Sequence, residues 1–432
     1  MVVLLLATSG GRASPASSAP RAAGPLYAFA GTPARLHPLD PRTLRVRPGR
    51  SAATAGHVFG WSISPDRTLL AAGSDSTAEV RFYDLRRLRS LGDVALVPLA
   101  VSGLVTATTW ASPSRVVAVV ISPGCCGLGD TTVSGLDARS RRELWRRDLH
   151  GSLQSLARYR GGFALVVGPK YTIGASRLVV VSSDGRVRTA RLDRIRSGWR
   201  RSGSGADVIA HEWNPGLALD RSAGRAFVVQ AGAPVAEIDL RRLFVRYHEP
   251  AEPISFLGRV RDWLEPKAEA KGMQGPLRIA ARLGGGRLAV TGVDHQLSHD
   301  AQGRLQETDV PAGLKLVDTR TWSVRTLDHA TTTVTVAGGV LFAYGTSWDS
   351  RTSRTTGEGL TAYDAGGREL YHRYGDEPIY GVTALPQGVL VAGNQASSVF
   401  RRQDLLDPRT GRVIRQVPAF LQPIAGDQPF WF

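Results

Sequence analysis

Short apolar runs alternate with polar turns along almost the whole chain, and this pattern predicts strands rather than helices. The apolar runs around Asp84 are residues 59–64, 69–73, 80–85 and 94–97. Four short strands separated by turn-forming residues predict one antiparallel meander. Residues 26–31 and 34–39 have the same character and predict two strands of a meander whose first strand is missing.

One short sequence motif recurs at an equivalent position in successive predicted meanders. It consists of an apolar residue, an aspartate, a polar turn rich in Arg, Thr and Gly, and a return to apolar residues. Its aspartates are Asp40, Asp84, Asp137, Asp184, Asp239, Asp318, Asp364 and Asp407. The steps between them are 44, 53, 47, 55, 79, 46 and 43 residues. This period, with strand–turn–strand content, predicts an all-β fold, a β-propeller of about eight four-stranded blades, or seven if two copies share one sheet.

The two ends of the chain predict how the ring closes and how the chain is divided. Residues 422–432 can supply the first strand that residues 26–39 lack, which closes the ring by pairing N- and C-terminal strands. We therefore expect one propeller domain over residues 25–432. An apolar stripe within 254–272 predicts a helical insertion, bounded at 252–274, inside the 79-residue step.

The net charge of +17 suggests an anionic partner, but its distribution weakens the case for nucleic acid. The chain has 54 Lys and Arg residues, of which only Lys170, Lys267, Lys271 and Lys315 are lysines. The arginines are scattered one or two per turn, so charge alone is not a specific signal. We expect no specific nucleic acid, but attraction to anionic cell-surface polymers.

Residues 1–24 begin with a short apolar run and continue as a Ser/Ala/Pro/Gly-rich stretch. They are interpreted as the remnant of a signal peptide or as a disordered N-terminus. The first interpretation predicts an extracellular or cell-envelope protein. No apolar run is long enough to span a bilayer, so no transmembrane segment is expected.

Two clusters could carry special chemistry. Cys125 and Cys126 are the only cysteines and are flanked by glycines, which predicts a vicinal disulfide in an oxidising compartment; the alternative is two free thiols. The second cluster could bind a divalent cation, although polar loops of this kind are usually just solvated. Its residues are Asp294, His295, His299 and Asp300.

Ligand-contact candidates lie in the longest turns. Trp348 and Asp349 are the first pair, although Trp348 could instead cap the core, and Lys170 and Tyr171 are a weaker second pair. The long connections are residues 122–131, 167–176, 294–312 and 346–358, and the predicted helix. In a four-stranded meander all of these open on the same face, which favours a binding role for that face; neutral drift of tolerated loops is the alternative.

Two motifs resemble known propeller repeats. Residues 64–71 (SPDRTLLA) and 216–229 resemble YVTN-type and WD-like bacterial repeats, with Arg67 where that family has Gly. Residues 136–145, ending in Trp145, resemble the repeat of quinoprotein dehydrogenases, which are eight-bladed. That second resemblance implies a pyrroloquinoline quinone (PQQ) with a calcium ion, but no positions here match the family's calcium ligands.

The sequence favours a non-enzymatic, exported propeller that binds a protein, glycan or other ligand through its elaborated face. The first strands of the meanders are mainly apolar or hydroxylic, as at residues 105–110 and 153–159, rather than rich in convergent carboxylates. No cofactor is therefore predicted. The alternative is an enzyme, a quinoprotein-like oxidoreductase or a hydrolase, in the central channel, with PQQ or a divalent cation as its cofactor.

Overall fold

A computed structural model describes most of the chain between residues 25 and 424. The described ranges are 25–31, 34–54, 58–74, 77–96, 103–122, 129–202, 209–250, 272–299, 305–349, 354–394, 401–417 and 422–424. All regular structure in these ranges is β-strand, and the described residues contain no helix, so none that could cross a membrane.

The strands are numbered in chain order. The first eleven are β1 (Leu26–Ala30), β2 (Arg35–Leu39), β3 (Ala52–Ala53), β4 (Val58–Ile63), β5 (Leu69–Ser74), β6 (Glu79–Asp84), β7 (Arg89–Ala95), β8 (Leu104–Ser112), β9 (Arg115–Ile121), β10 (Thr131–Asp137) and β11 (Arg142–Asp148). The next twelve are β12 (Ser152–Tyr159), β13 (Gly162–Gly168), β14 (Ile173–Val181), β15 (Val187–Ser202), β16 (Ile209–Trp213), β17 (Gly216–Asp220), β18 (Arg225–Val229), β19 (Val235–Asp239), β20 (Val245–His248), β21 (Gly272–Gly284), β22 (Arg287–His299) and β23 (Leu305–Pro311). The last eleven are β24 (Leu314–Asp318), β25 (Val324–Asp328), β26 (Thr333–Ala337), β27 (Val340–Asp349), β28 (Arg354–Tyr363), β29 (Glu369–Arg373), β30 (Ile379–Leu385), β31 (Gly388–Asn394), β32 (Arg401–Leu406), β33 (Val413–Val417) and β34 (Gln422–Pro423).

The strands form an all-β propeller, as the repeat predicts. Four sheets are plain antiparallel meanders of consecutive strands, namely β4–β7, β8–β11, β17–β20 and β30–β33. A fifth, the N-terminal sheet, has the order β3-β2-β1-β34. The large sheet has 14 strands and contains three further meanders: β12–β15, the group β21, β22, β24 and β25, and β26–β29.

Counted as hydrogen-bonded sheets, the described residues form six blades, and the prediction of eight, or seven, blades does not match. The difference arises in the large sheet. Strand β16 pairs with both β15 and β21, and β23 pairs with both β22 and β27. These two strands join three meanders that the repeat alone would keep apart.

The predicted pairing of the N- and C-terminal strands is confirmed. β34 pairs antiparallel with β1, with Phe29 opposite Gln422 and Ala28 opposite Pro423. The next residue, Ile424, donates its N–H to the carbonyl of Tyr27 at 2.9 Å and is 2% exposed. The C-terminal segment is therefore the innermost strand of the N-terminal sheet.

Buried apolar side chains fill the spaces between neighbouring meanders. Val80 and Phe82 on β6, for example, pack against Val116 and Val120 on β9. Equivalent layers continue around the ring, and one layer packs β30–β33 against the N-terminal sheet. The core is thus a ring of interlocked layers, and the ring is closed.

The recurrent aspartates close the turns between the third and fourth strands, as their sequence context predicts. Asp239 Oδ1 accepts the backbone N–H groups of Arg241 and Arg242, at 2.7 and 3.0 Å. Asp318 does the same for Arg320 and Thr321. The side chains that follow each aspartate are therefore presented outward on one face of the ring, which we call the turn face.

Aromatic residues on two fourth strands dock onto the following meander. Trp145 on β11 donates from Nε1 to the carbonyl of Ser183 at 3.3 Å, and its ring covers Gly185. A Cβ atom on Gly185 would lie 2.7 Å from the indole. Tyr371 on β29 covers Gly411 in the same manner. Both glycines also have positive φ angles. Glycine is therefore favoured at each position for two reasons, the backbone conformation and the lack of space for a Cβ atom.

The predicted helical insertion falls almost entirely outside the described residues. Residues 251–271 belong to that part of the chain. Residues 272–274, which the prediction included, begin strand β21 instead.

Candidate functional site

The described parts of three long connections, residues 167–176, 294–312 and 346–358, include extended strands that take part in one hydrogen-bonded structure above the ring. We call this structure the extension sheet. It consists of residues 173–175 of β14, 196–202 of β15, all of β16, 272–276 of β21, 293–299 of β22, all of β23, 346–349 of β27 and 354–357 of β28. It continues the ends of second and fourth strands and the beginnings of first and third strands, so it stands on the face opposite the turn face.

Local irregularities mark where strands leave the ring and enter the extension sheet. The register shifts between Ala175 and Ser176 in β14, and between Tyr344 and Thr346 in β27. Such bulges redirect a strand without ending it. The strand therefore continues through a bend where the sequence predicts a loop.

The extension sheet begins beside an aromatic cluster that contains one of the two predicted ligand pairs. Lys170 Nζ lies 2.5 Å from Asp130 Oδ2 and 5.6 Å from the centre of the Tyr171 ring. Tyr171 is 61% exposed and meets the buried Trp199 edge-on, with ring centres 6.3 Å apart. The structure thus brings Lys170 and Tyr171 together and supports the exposed ring from below.

The other predicted ligand pair lies at the far side of the extension sheet. The backbones of Trp348 and Asp349 end strand β27, with Asp349 opposite Thr308 of β23. Six strand-to-strand steps separate β14 from β27, or about 29 Å at the usual spacing. The two pairs therefore do not form a single site.

The predicted metal ligands Asp294 and His295 are directed to different partners. Asp294 Oδ1 lies 2.7 Å from Nη1 of Arg278, whose side chain is 1% exposed. His295 Nδ1 lies 2.6 Å from Asp309 Oδ1. Because neighbouring residues on a strand point to opposite faces, Asp294 and His295 do not converge on a common ion.

Three carboxylates surround His295 on its own face of the extension sheet. Glu212 adjoins Gly275, Gly275 lies opposite His295, and His295 lies opposite Asp309. Burial alone would lower the pKa of His295. The hydrogen bond to Asp309, and the charges of Asp309, Glu307 and Glu212, outweigh burial and raise it. Sequence reasoning missed these carboxylates, because β16 and β23 come next to β21 and β22 only in three dimensions.

The remaining predicted site residues lie beyond what the structure describes. They are Cys125, Cys126, Asp300 and the side chain of His299. Within the described ranges, no group of three or more His, Cys, Asp or Glu side chains could hold a metal ion.

The described residues of the inner strands carry few carboxylates. Among their described residues the one carboxylate is Asp220 at the end of β17, and it is paired with Arg282 at 2.7 Å. In the β12 meander the inner strand contributes Arg158, which is 9% exposed. Its Nε donates to the carbonyl of Thr108 and its Nη2 to that of Trp61, both at 2.9 Å. This guanidinium therefore joins neighbouring meanders.

Comparison with known proteins shows the fold and no more. No family model matches the chain, and no curated protein matches it. It is similar to the solved structure of dihydro-heme d1 dehydrogenase NirN in complex with DHE, at 11% identity and a TM-score of 0.53, over 93% of this chain and 74% of that one. It is also similar to the Dos1 propeller, at 12% identity and a TM-score of 0.47, over 85% of each chain. BamB from Moraxella catarrhalis matches at 12% identity and a TM-score of 0.43, over 84% of this chain and 88% of that one.

Proposed function

We propose that this protein is a non-enzymatic binding scaffold that holds a protein or glycan partner on its extension sheet. The observation that carries the proposal is the extension sheet itself, in which three meanders are extended on one face only and joined by backbone hydrogen bonds. A paired sheet positions side chains more rigidly than separate loops do, and rigid sites bind at lower entropic cost.

Tyr171 is the best single contact residue of this surface. It combines a largely exposed ring with support from Trp199 and Lys170. An aromatic ring that is already held in place can stack on a sugar or enter a protein pocket with little loss of conformational freedom. The second pair, Trp348 and Asp349, is proposed to contact the same partner at the opposite edge.

The chain offers a matched control on the turn face. Phe244 is 58% exposed, close to the value for Tyr171, and precedes β20 on the other side of the ring. The wild-type protein would be screened against an oligosaccharide array and, by cross-linking, against envelope proteins. Tyr171→Ala should weaken the binding found by about tenfold or more, while Phe244→Ala should leave it intact. Loss of binding in Phe244→Ala alone would show that the partner sits on the turn face.

A hydrolase is the second candidate, and the His295–Asp309 pair is the observation that favours it. A carboxylate that accepts from Nδ1 orients an imidazole so that Nε2 can act as a base. The test is turnover of chromogenic ester and glycoside substrates by wild type and His295→Gln. His150→Gln, in an exposed turn, is the control. Activity that disappears only in His295→Gln would replace the scaffold proposal by an enzyme.

We also propose that each meander acts as one blade, which makes a ring of eight in which three blades share the large sheet. The support is that every buried apolar cluster lies between two neighbouring meanders. A view down the ring axis by electron microscopy would count the blades directly, and six-fold or seven-fold density would refute this.

Two proposals concern parts of the chain outside the described residues. An extracellular or envelope location, with a bond between Cys125 and Cys126, is proposed from the sequence. Cell fractionation tests the first. Alkylation of unreduced protein followed by intact-mass measurement tests the second, because two alkylated thiols would rule out the disulfide.

A further inference from the structure

Several of the arginines that are scattered along the sequence follow the recurrent aspartates and lie on the turn face of the ring. Because each aspartate turn presents its following residues in the same direction, Arg186 and Arg241, 55 positions apart, line the same groove. Two grooves lie there between adjacent meanders. One is lined in part by Arg50, Arg86 and Arg87 and has a volume of about 410 Å³.

The other groove, between the β12–β15 and β17–β20 meanders, is the more enclosed and the more basic. We call it the arginine groove. Its volume is about 310 Å³. Nine residues line it, of which four are arginines and none is a carboxylate: Tyr159, Arg160, Val180, Val181, Ser182, Arg186, Arg188, Leu240 and Arg241.

Contacts with neighbouring residues of the groove hold two of these guanidinium groups in place. Arg188 donates from Nη2 to the carbonyl of Leu240 and from Nη1 to that of Arg241, both at 2.7 Å. Arg160 lies over the ring of Tyr159, with its Cζ 5.3 Å from the ring centre. Groups held in this way lose little freedom when they bind an anion.

Two nearby acids, Asp184 and Asp239, offset part of the charge of the groove. Asp184 pairs with the exposed Arg186 at 3.1 Å, which is a weak, solvent-screened contact. The carboxylate of Asp239 accepts the backbone N–H groups of Arg241 and Arg242, and its charge also interacts with both guanidinium groups. These two carboxylates against four lining arginines leave the groove with a net positive charge.

We propose that the arginine groove binds the phosphate or sulfate groups of a linear polyanion that carries no bases. Planar guanidinium groups match tetrahedral oxyanions through paired N–H···O contacts. A chain of nucleotides is disfavoured because the one aromatic lining residue, Tyr159, is buried under Arg160 and gives a base no surface on which to stack. This proposal concerns the turn face and does not depend on the function proposed for the extension sheet.

The experiment compares three probes of equal charge: inorganic polyphosphate, a sulfated dextran and a single-stranded DNA oligonucleotide. Fluorescence anisotropy would give the affinity of the full chain for each probe over a range of salt concentrations. We expect polyphosphate or sulfated dextran to bind more tightly than DNA, and the better of the two identifies the anion. Tighter binding of DNA would overturn the proposal.

The variant Arg186→Gln/Arg241→Gln removes two charges but leaves the Arg188 contacts in place. It should weaken binding of the preferred probe by roughly tenfold or more and reduce its salt dependence. The control, Arg191→Gln/Arg194→Gln, removes the same charge from exposed positions on β15. It should change affinity by less than about threefold. Equal losses in the two variants, both with unchanged melting temperatures, would show attraction by net charge alone and would overturn the site.

Discussion

Arg158 donates a hydrogen bond from Nη2 to the carbonyl oxygen of Trp61, 97 residues earlier in the chain, at 2.9 Å. A second bond, from Nε to the carbonyl of Thr108, ties the same guanidinium to the meander between them. One side chain thus joins three consecutive meanders at the inner wall of the ring. A buried cation usually needs a partner, and here backbone carbonyls satisfy it.

Replacing Arg158 tests this junction. Arg158→Met keeps the aliphatic length but leaves both carbonyls without their donor. The free energy of unfolding should fall by about 3 kcal/mol, as for other buried groups that lose their partners. Chemical denaturation measures it. Arg160→Met, two residues on and exposed, should change stability by less than about 0.5 kcal/mol. Equal effects would show that the cross-blade bonds add nothing.

The closing strand can be tested at one side chain. Ile424 packs with Tyr27, Phe29 and Trp61. Ile424→Ala should destabilise the protein by about 2 kcal/mol, and deletion of residues 422–432 should abolish cooperative melting. Ile414→Ala is the control, because that side chain is 43% exposed. Unchanged melting of the truncated protein would contradict closure by β34.

The Trp145 contact predicts a difference between two glycine substitutions. Gly185 and Gly224 both have positive φ angles, so alanine strains the backbone at either one. Only at Gly185 would the new Cβ meet the indole of Trp145; nothing lies within 4 Å of it at Gly224. Gly185→Ala should therefore lower the melting temperature clearly more than Gly224→Ala. An equal fall in melting temperature in the two variants would show that contact with Trp145 adds nothing to the requirement for glycine at position 185.

Asp220 should make the protein sensitive to acid. Burial by itself would raise its pKa, but hydrogen bonds from Ser222, Ala223 and Arg282, with the charge of Arg282, lower it to about 2. A lowered pKa in the folded state stabilises the fold above pH 4, and this contribution is lost as the pH falls towards 2. Asp220→Asn should cost up to about 2 kcal/mol at pH 7 and almost nothing at pH 2. A constant difference over that range would contradict the ion pair.

His295 should give the opposite dependence on pH. Its folded-state pKa is raised, so its stabilising effect is complete below about pH 6.5 and is lost as the pH rises through the raised value. Asp309→Asn should lower the pKa of His295, measured by NMR titration of the ring protons. Glu307→Gln removes the same charge without removing the hydrogen bond to His295, and should lower the pKa less. A larger effect of Glu307→Gln would show that Asp309 is not the main partner.

The sequence was sufficient for the local elements of the ring. Three of the four apolar runs around Asp84 correspond to β4, β5 and β6 within one residue at each end, whereas the fourth, predicted at 94–97, overlaps only the end of β7 (Arg89–Ala95). The recurrent aspartates mark the turns, because a short carboxylate closes a turn with the two N–H groups that follow it. Both signals are local, so a single sequence contains them.

The extension sheet could not be predicted in the same way. β16 pairs in parallel with β21, and the intervening chain includes the whole β17–β20 sheet and residues 251–271. The residues of β16 and β21 do not by themselves indicate which strand each one pairs with. The grouping of arginines was missed for a related reason. Arginines that are far apart in the sequence occupy equivalent positions in successive repeats. The ring places equivalent positions of all repeats on the same face.

The pairing of β1 with β34 also affects the time at which the fold can form. Phe29 and Gln422 are nearly 400 residues apart, so their contact carries one of the largest loop-closure costs in the molecule. During synthesis the N-terminal sheet stays without its innermost strand until residues 422–423 have left the ribosome. The exposed edge of β1 is until then a surface on which chaperones, or neighbouring nascent chains, can act before β34 pairs with it.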